Sequence, residues 1–215
     1  MKYSVLIMST MLAISCSQDN KRLKDKINLE STEQLKVENK GLSAKAEAME
    51  KDLTRRHLFY QSVKGMYEGS ISTSDGTFSI RITLTPSLAP LKVSRSRQLE
   101  EIASDLNNLT LNTQIVQWDP KNTDATVACP GVAVKPDIEN GVITIPSSEI
   151  CKNLYKIKIT ERGFRGTTLE NSMAATRLAQ QILNGDLSDV DSLNGTIQPS
   201  TNASIFKFVA NKVQE

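Results

Sequence analysis

The chain has 215 residues, of which 39% are hydrophobic and only 5% aromatic, a composition suited to one modest core with a polar extension rather than a single large globule. Twenty-six Lys and Arg against 24 Asp and Glu leave a net charge of +2, too weak a field to argue for nucleic acid as a partner. The single histidine, His57, leaves little scope for imidazole chemistry or a histidine-based metal site.

The chain opens with MKYSVLIMSTMLAISC. Lys2 gives a positive start, Val5 to Ile14 is an uncharged and mostly apolar run of ten residues, and the small residues Ala13 and Ser15 stand just before Cys16. That layout predicts a secretory signal peptide over residues 1–15. The run is too short for a membrane span, which takes about 20 apolar residues. The Lys- and Glu-rich sequence that follows offers no core for a buried N-terminal element.

Leu12-Ala13-Ile14-Ser15-Cys16 resembles the lipobox of bacterial lipoproteins, with Ala13 where Leu is commonest and Ile14 where a small residue is usual. The resemblance covers these sixteen residues only. It implies that Cys16 is lipidated, carries diacylglyceryl and palmitate, and becomes the first residue of the mature chain. With Ser17 rather than Asp after the cysteine, it also implies the outer membrane, facing the periplasm, in a host with two membranes. The rival is cleavage by ordinary signal peptidase, which leaves a soluble protein with a free N-terminal thiol.

Three cysteines, Cys16, Cys129 and Cys151, are an odd number for an exported chain. Lipidation of Cys16 leaves one pair, which an oxidising compartment would join as Cys129–Cys151. The alternative is two buried free thiols.

Residues 19–64 hold no proline and one glycine, Gly41, and are rich in helix formers. Leu35, Leu42 and Met49 recur every seven residues, with Asn39, Ala46 and Leu53 four positions after each. This spacing predicts a coiled-coil-like helical stalk about 65 Å long, which self-associates or docks on a protein partner through Leu35, Leu42, Met49 and Leu53. A solvated helix folding back on the domain, or a partly disordered tether, is the alternative. The apolar stretch Leu58, Phe59, Tyr60, Val63, Met66 and Tyr67 is expected to pack on the domain, with Gly65 capping the helix.

From Met66 the texture becomes β-rich. Ile71, a Ser-Asp-Gly turn, and the alternating Phe78, Ile80, Ile82 and Leu84 predict a hairpin. Leu99, Ile102, Ala103 and Leu106 sit on one helical face. LTLNTQIVQWD reads as a strand, and ATVAC and GVAVKPD flank Pro130 as a bulged or broken one. GVITIP and LYKIKIT are further strands. Thr167 and Glu170 form a capping box for a helix that buries Ala175, Leu178, Ala179, Ile182 and Leu183 and ends at Gly185.

Gly69-Ser70-Ile71 parallels Gly195-Thr196-Ile197, and Ile80-Arg81-Ile82 parallels Phe206-Lys207-Phe208, both at an offset of 126 residues. Either two similar hairpins lie side by side and close a barrel, or the likeness is chance.

No constellation of residues carries chemistry by itself. Ser204 and Lys207 have S-x-x-K spacing but lie in a predicted strand without companion motifs. His57 follows Arg55 and Arg56 and reads as a solvated helix residue. The acidic run from Asn184 through Asp186, Asp189 and Asp191 lacks the Gly and Glu positions of an EF-hand loop. Glu100, Glu101 and Asp105 read as a solvated helix face. Arg95 with Arg97, and Arg162 with Arg165, are basic pairs that either keep loops soluble or meet lipid headgroups or acidic glycans. Trp118 is expected in the core at a strand end. No catalytic, cofactor or metal site is assigned.

The expected architecture is α+β: a signal peptide (1–15), a lipid-anchored helical stalk (16–65), and a small antiparallel β-barrel or sandwich with one or two packed helices (66–215). The expected function is a structural or interaction role in the cell envelope, without catalysis. Alternatives are a β-barrel carrying a small amphiphile or glycan inside, and an envelope hydrolase that uses carboxylates.

Overall fold

A computed structural model of the chain describes residues 33–34, 36–38, 40–73, 76–87, 99–120, 122–200 and 204–213, without the side chains of 122–127. The signal segment, Cys16, Leu35, Asn39, Arg95 and Arg97 therefore lie outside the described residues. No described helix is long and apolar enough to cross a membrane.

The chain divides into two compact units, Met1–Ala48 and Met49–Glu215. In the first, the described residues are helical and almost all exposed. Val37 is 73% and Leu42 49% exposed. Residues 40–63 form one helical run, α1, and the unit boundary falls inside it. The second unit holds the part of α1 from Met49 onward together with the strands that begin at Gly65. Leu53, Phe59, Tyr60 and Val63 are fully buried in it, whereas Leu58 is exposed. Leu53, Tyr60 and Val63 continue the heptad seam of the predicted stalk, so the seam is covered by the chain's own domain from Leu53 onward. α1 ends at residue 63 and Gly65 opens the first strand with φ 143°, so this glycine is not a left-handed helix cap.

The second unit is built on one antiparallel sheet of eight strands. In chain order the elements are β1 (Gly65–Thr73), β2 (Gly76–Pro86), α2 (Leu99–Asn108), β3 (Leu111–Asp119), β4 (Asn122–Val134), β5 (Val142–Ile145), β6 (Asn153–Thr160), α3 (Thr168–Asn184), β7 (Ser192–Pro199) and β8 (Phe206–Lys212). The sheet order is β4-β3-β2-β1-β8-β7-β6-β5. Two four-stranded meanders are thus joined where the first strand meets the last, with Tyr67 opposite Lys212 and Ile71 opposite Phe208. Of the two expected forms, the sheet takes that of a nearly closed barrel rather than a sandwich.

Strict alternation explains the burial. Ile80, Ile82 and Leu84 of β2, Ile143 and Ile145 of β5, and Tyr155, Ile157 and Ile159 of β6 all turn inward and are at most 1% exposed. Cross-strand partners share a face, so Ile143, Ile157 and Gly195 stack on one inner row. These side chains face the interior of the sheet.

The matching segments fall on β1 with β2 and on β7 with β8, but their registers differ. Gly69 faces Ile80, whereas Gly195 faces Phe208 rather than Phe206. The chain bulges at Pro130, where Thr113 pairs with Val132 but Ile115 with Cys129, placing one extra residue in β4. Pro130 is tolerated because β4 is an edge strand.

α3 has both predicted ends. Thr167 accepts a bond from the Glu170 N–H at 3.3 Å, and the Glu170 carboxylate accepts one from the Thr167 N–H at 2.7 Å. Gly185 ends the helix in the left-handed region at φ 83°. Ala174, Ala175, Leu178, Ala179 and Ile182 are the buried face, and α3 packs along β6. Salt bridges and bonds around Glu139, from Arg55 of α1 at 2.8 Å and Gln180 of α3 at 3.2 Å, tie both helices to the β4–β5 loop.

Candidate functional site

Cys129 is in edge strand β4, and Cys151 lies in the connection between β5 and β6. Their Cα atoms are 4.6 Å apart, they stand at disulfide distance, and both are fully buried. Because β4 and β5 are the two edges of the sheet, this pair spans the seam that hydrogen bonds leave open.

A surface groove of about 480 Å³ lies on the outside of the sheet. Its floor follows from register. Lys156 of β6, Thr196 of β7 and Lys207 of β8 form one cross-strand row, and Lys158, Asn194 and Val209 form the next. Residues two apart on a strand face the same side about 7 Å apart, which places Lys156 beside Lys158. The wall is the β6–α3 loop with Phe164 and Arg165, continued by the first turn of α3. Two bonds hold that turn against the floor: Lys158 Nζ donates to Ser172 Oγ at 2.7 Å, and Asn194 Nδ2 donates to Asn171 Oδ1 at 2.7 Å.

Among the described residues, four cations and no carboxylate line this groove. Among the described residues Lys156, Arg165 and Lys207 are neither ion-paired nor hydrogen-bonded through their side chains. Glu170, in the first turn of α3, is engaged with Thr167, and these hydrogen bonds hold its carboxyl below the usual range.

A second cleft, of about 620 Å³, carries mixed charge. Lys64, Arg162 and Lys212 face Asp189 and Asp191, and Lys212 is paired with Asp189. The expected pair Arg162 and Arg165 is therefore divided between two clefts, with Arg162 donating to the Lys212 carbonyl at 3.2 Å.

Several other expectations change. His57 is not solvated: it is 9% exposed on the inner face of α1, its Nδ1 has no partner, and burial pushes its pKa down. Trp118 is only half-buried, with the Arg81 guanidinium 5.6 Å from its ring centroid. Its partner across the ladder is Ser79, which places it on the outer side of the sheet. Glu100, Glu101 and Asp105 lie together on the outer side of α2. Ser204 precedes β8 and is exposed, while Lys207 enters the basic groove. Among the described residues no group of three or more His, Cys, Asp or Glu could hold a metal ion.

The groove was not singled out from sequence. Lys156 and Lys158 alternate within LYKIKIT, which signals one face, but only the β6-β7-β8 order brings Lys207 beside them. Comparison with protein-family models, with curated proteins and with solved structures finds no match for this chain.

Proposed function

We propose that this chain is an exported lipoprotein of the cell envelope, tethered through lipid on Cys16, whose β-rich unit acts as an interaction module rather than an enzyme. The observation that carries the reading is the cysteine arrangement. Cys129 and Cys151 stand at disulfide distance in a buried seam, as suits an oxidising compartment, and this leaves Cys16 alone behind an apolar signal-like run. The helical segment that carries Leu42 acts as a spacer, and exposed Leu42, on the Leu35-Leu42-Met49 stripe of the sequence, offers an apolar contact for a second helix. Leu53 does not contribute to that stripe, being buried in the chain's own domain. The large side chains turned into the sheet, Tyr155, Ile157 and Ile159 among them, favour recognition on the outer surface over an amphiphile or glycan carried inside.

Cell fractionation tests the tether. The full chain is expected in the membrane fraction, released by detergent but not by high salt, and a Cys16→Ala variant is expected to lose that association. A wild-type chain found in the soluble fraction overturns the anchor.

A further inference from the structure

We propose that the basic groove on the outer face of β6, β7 and β8 binds a phosphate group, carried either by a small soluble ligand such as a sugar phosphate or by a phospholipid headgroup. The inference does not rest on the lipid anchor at Cys16.

Charge is the first argument. Lys156, Lys158, Arg165 and Lys207 converge from two strands and a loop on one concavity with no carboxylate among the described residues that line it. Like charges held together repel, and an anion seated among them relieves the repulsion. Three of the four cations have no partner among the described residues, so they are available to a ligand. Lys158, although bonded to Ser172, retains two more donors. Lysines act as point charges for phosphate and the Arg165 guanidinium as a planar fork.

Chemistry beside the cations is the second argument. Thr196 lies between Lys156 and Lys207, and Asn194 between Lys158 and Val209, which places neutral hydrogen-bonding groups among the charges. Phe164 and the half-exposed Val209 supply an apolar flank for an organic moiety attached to the phosphate. About 480 Å³ suits a phosphate with one sugar ring or a glycerol headgroup. The groove is also held in shape without a ligand, because Ser172 and Asn171 clamp the helix turn to the floor. The helix N-terminus adds little, since the capping box already occupies it.

The experiment is a titration of the full chain, purified in a non-ionic detergent, followed by amide NMR shifts at an ionic strength fixed with sodium chloride. One arm uses inorganic phosphate and the other dihexanoylphosphatidylglycerol. Saturable shifts at β6, β8 and the 161–167 loop are expected in at least one arm. The double variant Lys156→Gln, Lys207→Gln is expected to weaken binding by about tenfold for each lysine removed. The Lys156→Arg, Lys207→Arg pair is expected to retain it, and Arg81→Gln, which removes a cation paired with Glu68 elsewhere on the sheet, to leave it unchanged. Saturation by phosphate identifies a soluble source as sufficient, and saturation by the lipid alone identifies a headgroup. If the double variant does not fold, Arg165→Gln on the loop takes its place with the same expectation. No saturable shift with either probe, or equal binding by the glutamine variants, overturns the proposal.

Discussion

Cys129 of β4 and Cys151 of the β5–β6 connection hold their Cα atoms 4.6 Å apart across the one seam of the sheet where neighbouring strands do not pair. The meanders are joined at one side by the β1–β8 ladder and at the other by this pair of side chains. Every other strand boundary is closed by backbone hydrogen bonds.

Removing that link should loosen the seam first. The pair closes a loop of 22 residues, for which chain entropy gives a stabilisation of about 3 kcal/mol. A Cys129→Ser, Cys151→Ser variant is expected to lose about that much in chemical denaturation. Amide exchange should rise earliest in β4 and β5 and last at the β1–β8 ladder. Uniform exchange across all eight strands would show that the seam has no separate weakness.

His57 makes stability depend on acidity. Burial lowers its pKa in the folded state below the unfolded value of about 6.5. Above that pH both states are neutral at this residue and it costs nothing. As pH falls through about 6.5, the unfolded chain takes up the proton first, and stability declines until the folded-state pKa is passed. Melting curves between pH 7.5 and pH 5 should show this decline in the wild type and a smaller one in His57→Leu. Parallel slopes in the two proteins would rule out His57 as the source.

Two glycines should respond in opposite directions. A Cβ at Gly69 would come within 1.8 Å of the Val209 carbonyl oxygen, inside the β1–β8 ladder that joins the meanders. Gly69→Ala is expected to cost more than about 3 kcal/mol, because backbone must move. Gly41 meets nothing within 4 Å in a helical segment, and Gly41→Ala is expected to stabilise that helix by about 0.5–1 kcal/mol. Denaturation and far-ultraviolet circular dichroism of the two variants check both signs.

The heptad seam separates into two roles. Leu42→Ala should leave the folded unit intact and weaken any self-association seen by sedimentation velocity. Leu53→Ala should instead destabilise the β-rich unit by about 2–5 kcal/mol, as a fully buried leucine would. A monomeric wild type at high concentration would remove the self-association reading and leave the spacer.

The sequence was most legible where a pattern is local. Alternation in β2 and β6, the Thr167–Glu170 capping box, the Gly185 cap and the bulge near Pro130 all depend on neighbours in the chain, and the structure has them as expected. Periodicity located the apolar face of α1 but could not say what covers it. The same spacing serves a partner helix or the chain's own sheet, and for Leu53 and Tyr60 it is the sheet-bearing unit. His57 and Trp118 were misplaced for a related reason. An Arg-Arg-His triplet looks solvated until the helix is rotated against a core, and a lone tryptophan looks buried until its ladder partner Ser79 puts it outside. The basic groove was illegible because its floor is assembled from residues about 50 positions apart, Lys156 and Lys207, whose proximity depends on strand order.

The most direct test of the central claim is the intact mass of the protein purified from its native membrane fraction, beside a Cys16→Ala variant. The expected result is a mature chain that begins at Cys16 and carries a diacylglyceryl mass, absent from the variant, with residues 129 and 151 two hydrogens short of free thiols. A chain that still begins at Met1, or one cut before Cys16 and free of lipid, would contradict it.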